Sequence, residues 1–297
     1  MPAPIAPRTA YLFMSLTALF WAGNFVIGRA ATGTIPPLTL AWARWAGAAL
    51  LVLPFAAPHL WRDRRELWEN RGFLFFLGCI GAGLFNTMQY VSLTMMTAVT
   101  GAVMNSAGPV LIAIACWLIL GDRLRPLQIA GIAVSVAGVL VVVARGDFDR
   151  LPPLGQSIGE LLMLAALIVW SVYTALLRFR PEIHPLSFAA ATYLAAAIIN
   201  TPVMLWENSG LPELPSEPHI LAAFAYVAVF PSLLAYYFFN VSVESIGGAR
   251  ASAFFHLTPL MTAGIAMAFL GEAFALYHVA GFVLIIAGVW LTALRAA

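Results

Sequence analysis

Leu120-Gly121-Asp122-Arg123-Leu124-Arg125 ends one apolar run of the sequence, and Leu270-Gly271-Glu272-Ala273-Phe274-Ala275 ends another run 150 residues later. The two hexapeptides share the order leucine, glycine, acid, but the first carries two arginines where the second carries two alanines. Arginine is enriched on the cytoplasmic side of membrane proteins. The charges therefore predict that the sequence contains one element twice, facing opposite sides of a membrane.

The similarity extends well beyond these two hexapeptides. Residues 86–143 align with 236–293 at the same shift of 150, and Trp21 meets Trp170 at a shift of 149. The matched positions are Val91-Ser92 with Val241-Ser242, Pro109 with Pro259, Ala130-Gly131 with Ala280-Gly281, and Ala137-Gly138-Val139 with Ala287-Gly288-Val289. We predict two repeats, residues 1–150 and residues 151–297.

The composition indicates that lipid is the solvent of this chain. Of its 297 residues, 62% are hydrophobic and only 9% are charged, with a mean hydropathy of +0.91. Soluble domains carry about 25% charged residues, so this chain has too little polar surface to face water. It has no long polar segment for a soluble or nucleic-acid-binding domain, and its two cysteines suggest neither a disulfide framework nor a metal site. We predict an all-α integral membrane protein without metal or cofactor.

Ten apolar runs are long enough to cross the bilayer, which takes roughly 20 residues per helix. They fall at about 9–28, 36–56, 72–93, 98–120, 126–144, 158–178, 186–205, 219–241, 250–270 and 276–295. The first run lacks a cleavage site and is expected to be a retained helix. Each repeat holds five helices, an odd number, so the second repeat enters the membrane from the opposite face, as in many secondary transporters.

Arginine placement predicts the orientation of the chain. With the N-terminus inside, eleven arginines fall in cytoplasmic segments: Arg8, Arg62, Arg64, Arg65, Arg71, Arg123, Arg125, Arg178, Arg180, Arg250 and Arg295. The outer loops then hold only three, Arg29, Arg145 and Arg150. We predict a multi-pass protein of the bacterial inner membrane with both termini in the cytoplasm.

Three features resemble the drug/metabolite transporter superfamily. They are the run Phe20-Trp21-Ala22-Gly23-Asn24-Phe25, the intramembrane Arg44, and the twin pattern of a proline, eleven residues, Gly-Asp/Glu and then Gly-six-Gly. The resemblance covers the whole chain, and within the superfamily the chain looks most like bacterial exporters of aromatic and other bulky apolar amino acids. It implies a monomeric ten-helix basket around a central cavity lined by helices 1, 3, 4, 6, 8 and 9, with helices 5 and 10 toward the back.

Polar and aromatic residues within the predicted spans are the candidates for lining this cavity, since polar groups deep in a membrane usually face protein or water. They are Trp21, Asn24, Asn86, Tyr90, Asn105, Trp170, Tyr173, Tyr236, Asn240 and His256. Aromatic faces suit an apolar side chain, and amides suit an amino or carboxylate group. Interfacial belts, contacts between helices and a packed neutral histidine remain alternatives for individual members.

Three further sets of residues have more than one interpretation. Pro109 and Pro259 predict kinks, which serve either packing or flexing during transport. Arg44 lies about eight residues into the second span, where it could snorkel to the outer interface, pair with helix carbonyls, or bind a substrate carboxylate. Glycines recur every seven residues on helices 5 and 10 and predict close helix packing. These are Gly131, Gly138, Gly281 and Gly288.

The function predicted from these features is export of amino acids by alternating access. Export of drugs or other metabolites and passive facilitation or channel activity are the alternatives. The spans lack HExxH, a GxxxxGK[ST] loop and paired catalytic side chains, which argues against an enzyme or an ATP-driven pump. The carboxylates Asp122, Glu160, Glu244 and Glu272 lie near span ends, so coupling through His256 and passive transport both remain open.

Overall fold

The computed structural model describes residues 6–121, 126–147, 157–211, 217–246 and 253–293, and the regular structure in these ranges is helical. The helices of the first repeat are α1 Pro7–Ala30, α2 Pro37–Arg62, α3 Arg64–Glu69, α4 Arg71–Leu77, α5 Phe85–Leu93, α6 Ala98–Asn105, α7 Gly108–Leu120 and α8 Pro126–Val143. Those of the second are α9 Ile158–Leu176, α10 Pro185–Glu207, α11 Pro218–Ala228, α12 Ala235–Ile246, α13 Leu257–Leu270 and α14 Leu276–Ala293. A π-helical segment, Gly78–Leu84, joins α4 to α5, and another, Val229–Leu234, joins α11 to α12.

The chain is an all-helical, multi-pass membrane protein. In the described ranges, seven continuous helices are long and apolar enough to cross a bilayer, and α6 with α7 makes an eighth span bent by 43°. The helices α13 and α14 are apolar but shorter. The prediction of ten spans therefore stays a prediction for the last two.

Proline sets the start of four long helices. Pro7, Pro37, Pro185 and Pro218 each occupy the first turn of a helix. The first turn lacks intrahelical acceptors for its N–H groups, so a residue without an N–H loses nothing there, and its fixed φ is already helical. The turn chemistry of the sequence thus positions the helix ends accurately.

The two repeats carry the same irregularities at equivalent positions. The π-helical segments 78–84 and 229–234 lie about 150 residues apart, within the third and the eighth predicted span. Gly121 and Gly271 both follow a helix with a left-handed backbone, at φ 71° and 65°, a conformation that glycine adopts without steric cost. The repeats therefore share local structure as well as sequence.

Helix packing exchanges partners between the repeats. Helix α1 packs on α12 and α13 of the second repeat, and α9, its counterpart, packs on α5 and α7 of the first. The pairs α2 with α10 and α8 with α14 join equivalent helices. A Cβ atom added to Gly288 would lie 2.5 Å from the Gly131 carbonyl oxygen, and one on Gly138 would lie 2.8 Å from the Gly281 oxygen. The close packing predicted from these glycines is confirmed.

The bundle has two ends that differ in charge. Arg29, Glu207 and Glu272 lie together at one end, which we call the glutamate end. Asp63 and His184 lie at the other end of α2 and α10, which we call the histidine end. The sequence predicts that the glutamate end faces the periplasm.

The hydrophobic core is unevenly distributed between these ends. The largest cluster of buried side chains extends from the glutamate end toward the middle of the bundle and draws on both repeats, with Phe25, Leu93 and Met163 among its members. Toward the histidine end, the described residues form two smaller clusters, one around Met14 and Ile246 and one between α2 and α10 that includes Ala56 and Ala190. The largest cluster therefore lies toward the glutamate end.

Candidate functional site

Six rings from five spans meet near the centre of the bundle. We call Trp21, Phe85, Trp170, Tyr173, Tyr193 and Tyr236 the aromatic cluster. Ring centroids lie 6.2 Å apart for Trp21 and Tyr236, and also 6.2 Å apart for Tyr193 and Tyr236. On the other side they lie 4.9 Å apart for Phe85 and Trp170, and 5.1 Å for Trp170 and Tyr173. The rings of Trp21, Tyr236 and Tyr193 come from the first, eighth and seventh spans, and the other three come from the third and sixth spans.

The π-helical segments hold these rings in place. Such segments interrupt the regular hydrogen-bond ladder of a helix and are frequent at functional sites. The Trp21 indole donates to the Pro231 carbonyl at 3.2 Å, and the Tyr193 hydroxyl donates to the Ser232 carbonyl at 3.3 Å. In the other π segment, Gly81 lies against the ring of Tyr173, where a Cβ atom would collide. Each segment thus sets the position of rings from neighbouring helices.

The aromatic cluster combines central position with partial accessibility. Trp21, Phe85, Trp170, Tyr173 and Tyr236 are all half-buried, although Tyr173 and Tyr236 are densely surrounded by protein. Rings that are surrounded by protein and still partly accessible can pack against a small apolar group. The cluster is therefore suited to receive an apolar group.

A polar network adjoins the aromatic cluster and is centred on Arg44. The guanidinium donates from one Nη to Asn24 Oδ1 at 2.8 Å and to the Tyr90 hydroxyl at 3.2 Å. Tyr90 in turn donates to Asn24 Oδ1 at 2.5 Å, and Asn24 Nδ2 donates to Gln89 Oε1 at 3.4 Å. We call Asn24, Arg44, Gln89 and Tyr90 the Arg44 network.

The structure corrects the snorkelling interpretation of Arg44. Its side chain does not reach an interface, since Arg44 is only 3% exposed and its guanidinium lies 4.8 Å from the centroid of the Trp45 ring. Its oxygen partners are an amide and a phenol rather than helix carbonyls. The amphipathic chain of arginine allows snorkelling, but here polar partners on neighbouring helices hold the charge inside.

The charge of Arg44 is not matched by an acidic side chain among the described residues. The ion pairs in those ranges are Arg29 with Glu272, Arg65 with Glu69 and Arg145 with Glu160. Within the same ranges, Arg44 Nε is buried and makes no hydrogen bond. The Trp45 ring beside the guanidinium lies 5.0 Å from the Tyr193 ring, so the buried cation adjoins the aromatic cluster.

The remaining predicted site residues stay predictions, and the structure shows where they lie on their own helices. Asn86 donates to the Ala82 carbonyl of its own span at 3.1 Å. Asn105 ends α6 at the bend, and Pro109 lies in the first turn of α7. His256 ends a short 3₁₀ segment, and Pro259 follows in the first turn of α13. The side chain of Asn240 lies outside the described residues.

Trp45 and Tyr193 were missed by the sequence interpretation, which assigned the cavity to helices 1, 3, 4, 6, 8 and 9 and considered Arg44 separately. Arg44 and Trp45 lie on the second span, and Tyr193 lies on the seventh. A signal was available, because at the shift of 149 that pairs Trp21 with Trp170, Arg44 aligns with Tyr193. Equivalent positions of the two repeats thus contribute the Arg44 cation and the Tyr193 ring to the candidate site.

Two carboxylates tie the repeats together at the glutamate end. Glu207 accepts from the backbone N–H groups of Leu38 at 3.1 Å and Thr39 at 2.8 Å, at the start of α2. Glu272 accepts from Ala98 at 2.9 Å and Val99 at 3.1 Å, at the start of α6. Helix N-termini attract negative charge, and in both cases the acid and the helix belong to different repeats.

The histidine end has fewer carboxylate contacts between the repeats. Asp63 accepts from the backbone N–H of His184 at 2.8 Å, and the rings of His59 and His184 stack with centroids 3.5 Å apart. The Ser187 hydroxyl lies near the Asp63 carboxylate but without good hydrogen-bond geometry. The Ser187 hydroxyl and the His184 N–H stabilise the ionised carboxylate more than burial destabilises it, so the pKa of Asp63 is lowered from its ordinary value. Burial and the neighbouring His59 lower the pKa of His184.

A groove of about 270 Å³ lies apart from the aromatic cluster, between α2, α4 and α10. Its lining is apolar except for Arg71, and the flanking Phe75, Leu194 and Ile198 are exposed on the outer surface. An apolar surface facing outward in a membrane protein is suited to lipid. The groove therefore does not compete with the central cluster as a transport site.

Comparison with known proteins finds several transporters that are similar to this chain. The uncharacterized transporter YyaM of Bacillus subtilis is 29% identical over 280 residues, covering 94% of this chain and 92% of its own. An uncharacterized transporter of Archaeoglobus fulgidus is 26% identical over 95% of this chain and 96% of its own. The uncharacterized inner membrane transporter YedA of Escherichia coli is 25% identical over 84% and 80% of the two chains.

A solved crystal structure shares the fold. It matches with a TM-score of 0.66 over 97% of both chains at 18% identity. Residues 8–144 and 157–294 each match the EamA-like transporter family, so the family pattern occurs twice and covers nearly the whole sequence. The chain belongs to the EamA-like transporter family, a family of membrane transporters rather than enzymes within the drug/metabolite transporter superfamily.

Proposed function

We propose that this protein is a secondary transporter that exports amino acids, chiefly aromatic and other bulky apolar ones, across the bacterial inner membrane. The observation that carries the proposal is the aromatic cluster, a set of half-buried rings at the centre of the bundle. Apolar and aromatic side chains pack favourably on such rings. The Arg44 network beside them supplies polar groups that orient the rest of the molecule.

The proposed mechanism is alternating access by two inverted five-helix repeats, 1–150 and 151–297, in a monomer with ten spans and cytoplasmic termini. The exchanged packing of α1 and α9 and the paired π-helical segments support this arrangement. Inverted repeats hold their substrate near the midplane and rock around it. Trp21 and Trp170, at equivalent positions, both belong to the cluster.

The uneven core supports loading from the cytoplasm. The glutamate end, predicted to be periplasmic, is closed by a large apolar cluster and two carboxylate contacts between repeats. The histidine end, predicted to be cytoplasmic, has one such carboxylate contact and two smaller apolar clusters among the described residues. An exporter must accept its cargo in such a conformation before opening to the other side.

Transport into proteoliposomes tests the proposal. Labelled phenylalanine, methionine and a lipophilic cation are offered in counterflow, and we expect saturable exchange of the two amino acids but not of the cation. Absence of amino-acid flux would overturn the assignment of cargo, and non-saturable flux without counterflow would favour a channel or passive pore.

Variants then test the site itself. Trp21→Ala and Trp170→Ala are expected to lower phenylalanine flux by about tenfold, since each removes an aromatic contact worth on the order of 1 kcal/mol or more. Trp290→Ala is the matched control, because Trp290 is 61% exposed on the outside of α14. His256→Ala separates coupling from packing: loss of proton-dependent accumulation with retained counterflow would assign coupling to this histidine.

A further inference from the structure

The Arg44 charge lacks an internal counterion among the described residues, although Arg44 is only 3% exposed. Burying an ion costs several kcal/mol unless an opposite charge and hydrogen bonds compensate for the lost water. Arginine does not solve this by losing its proton, since the guanidinium stays charged in proteins. The neutral partners Asn24 and Tyr90 offset only part of this cost.

The free edge of the guanidinium has the geometry for an anion. Asn24 and Tyr90 share one Nη, whereas Nε is buried and has no hydrogen-bond partner in the described ranges. A carboxylate binds arginine most strongly through two parallel N–H donors. Stacking on Trp45 also fixes the guanidinium. Little conformational entropy is therefore lost when an anion binds.

The direction of this edge matters for the kind of molecule bound. The guanidinium lies 4.8 Å from the Trp45 ring, which lies 5.0 Å from the ring of Tyr193, a member of the aromatic cluster. A ligand with a carboxylate at Arg44 would therefore have aromatic rings beside its remaining atoms. This arrangement suits an apolar or aromatic carboxylic acid.

An ammonium group finds no equivalent partner in the described part of the site. The described acidic side chains lie at the two ends of the bundle, as Glu207 and Glu272 do at one end and Asp63 at the other. Near Arg44 an ammonium is repelled, and around the cluster it meets neutral oxygens and ring faces, whose attraction for a cation is about 0.5–2 kcal/mol and weaker than an ion pair. The site therefore selects for the carboxylate and not for the amine.

We propose that Arg44 is the carboxylate-binding residue of the transport site, and that apolar and aromatic monocarboxylates lacking the amino group are bound and carried together with amino acids. The proposal rests on the proposed function for the direction and cargo of transport. It goes beyond that function in two ways: the amino group of the substrate is not needed for binding, and the carboxylate is.

Three matched ligands test this on the wild-type protein. Phenylalanine, 3-phenylpropionate and 2-phenylethylamine share the ring and differ only in the charged groups. We expect 3-phenylpropionate to compete with phenylalanine in binding and counterflow at a similar concentration. 2-Phenylethylamine should be weaker by on the order of 100-fold or more, because a site built for one polar group rejects the analogue that lacks it. Equal binding of the amine, or rejection of 3-phenylpropionate, would overturn the proposal.

Variants of Arg44 provide the second arm. Arg44→Gln should abolish 3-phenylpropionate binding, whereas Arg44→Lys should keep part of it, since the ammonium retains the charge but loses the two-donor geometry. Arg65→Gln is the control, an exposed arginine in α3. If Arg44→Gln does not fold, the ligand comparison on the wild type still decides.

The two proposals fail in distinguishable ways. Phenylalanine flux that is unchanged in a folded Arg44→Gln variant would contradict the role of Arg44 and leave the amino-acid exporter in place. Arg44-dependent binding of 3-phenylpropionate without any amino-acid flux would contradict the exporter and support the carboxylate site.

Discussion

The glutamate end and the histidine end are built from equivalent parts of the two repeats but are held by contacts of different strength. At the glutamate end, two carboxylates each accept from two backbone N–H groups at a helix start in the other repeat. At the histidine end, Asp63 accepts from one such group, at the start of α10. The largest core cluster lies beside the first connection, and two smaller clusters lie toward the second.

A chain with a symmetric sequence pattern can therefore adopt an asymmetric conformation. Glu207 caps the start of α2, while Asp63, at the end of α2, caps the start of α10, so the same exchange of acid and helix occurs at both ends. What differs is the number of contacts and their burial. In the proposed transport cycle, the strongly held end is the one that must open for release.

The largest effect is expected when both carboxylates of the glutamate end are neutralised. Hydrogen bonds to charged groups contribute about 1.5–3 kcal/mol each, so Glu207→Gln with Glu272→Gln should favour opening of that end by roughly 100-fold. Alkylation of Ala102→Cys reports the opening, because Ala102 lies in α6 and is fully buried in the largest core cluster. The assay uses a membrane-impermeant maleimide in a chain with Cys79 and Cys116 replaced by alanine.

The control for this experiment is Glu66→Gln with Glu69→Gln, two acids of the short helix α3 that lie far from the glutamate end. Alkylation at the wild-type rate in the Glu207 and Glu272 double variant would show that the two carboxylates do not hold that end closed.

A smaller effect is expected at the histidine end. Asp63→Asn weakens one hydrogen bond at a partly exposed position, which is worth about 1 kcal/mol. Thermal unfolding in detergent should shift slightly downward, and the alkylation rate of Ala102→Cys should stay within about twofold of the wild type. A shift in alkylation as large as that of the glutamate variants would show that the two ends are equally strong.

The histidine end should also respond weakly to pH. The pKa of His184 is lowered by burial and by His59, from an ordinary value of 6.5. The unfolded chain then binds more protons than the folded one, so stability is full above pH 6.5 and falls as the pH drops from there toward the folded pKa. Unfolding temperatures between pH 7.5 and 5 should fall more for wild type than for His184→Gln. Identical slopes would remove His184 from the explanation.

The smallest effect is expected for Arg29. Its Nε lies 3.8 Å from Glu272, and its side chain is 34% exposed. Exposed ion pairs contribute about 0–1 kcal/mol to stability. Arg29→Gln should therefore raise alkylation of Ala102→Cys by less than about threefold. A larger increase would assign part of the closing interaction to Arg29, which also donates to the Leu93 and Thr94 carbonyls at 3.2 Å.

Much of the fold could be predicted from the sequence because long apolar runs and proline at helix starts are local signals. The glycines of α8 and α14 likewise predicted close packing, since a side chain at Gly288 would strike the facing backbone. The break near Pro109 also follows from its chemistry, although the structure divides the span into two helices with a 43° bend.

The site was harder to predict because it depends on how each helix is rotated. The π-helical segment 78–84 changes the register of the residues that follow, and apolar periodicity contains no sign of it. Asn24 and Tyr90 were therefore assigned to the cavity wall individually, whereas the structure joins them through Arg44. Tyr193 was missed because the seventh helix had no assigned role in the cavity.

The most direct test of the proposed cycle locks the glutamate end. Arg29→Cys with Glu272→Cys, in the chain without native cysteines, can be joined by a short reducible cross-linker, and Arg65→Cys with Glu69→Cys within α3 is the matched control. We expect cross-linking at the glutamate end to stop phenylalanine counterflow, reduction to restore it, and the control to transport throughout. Undiminished counterflow with the glutamate end locked would contradict alternating access through that end.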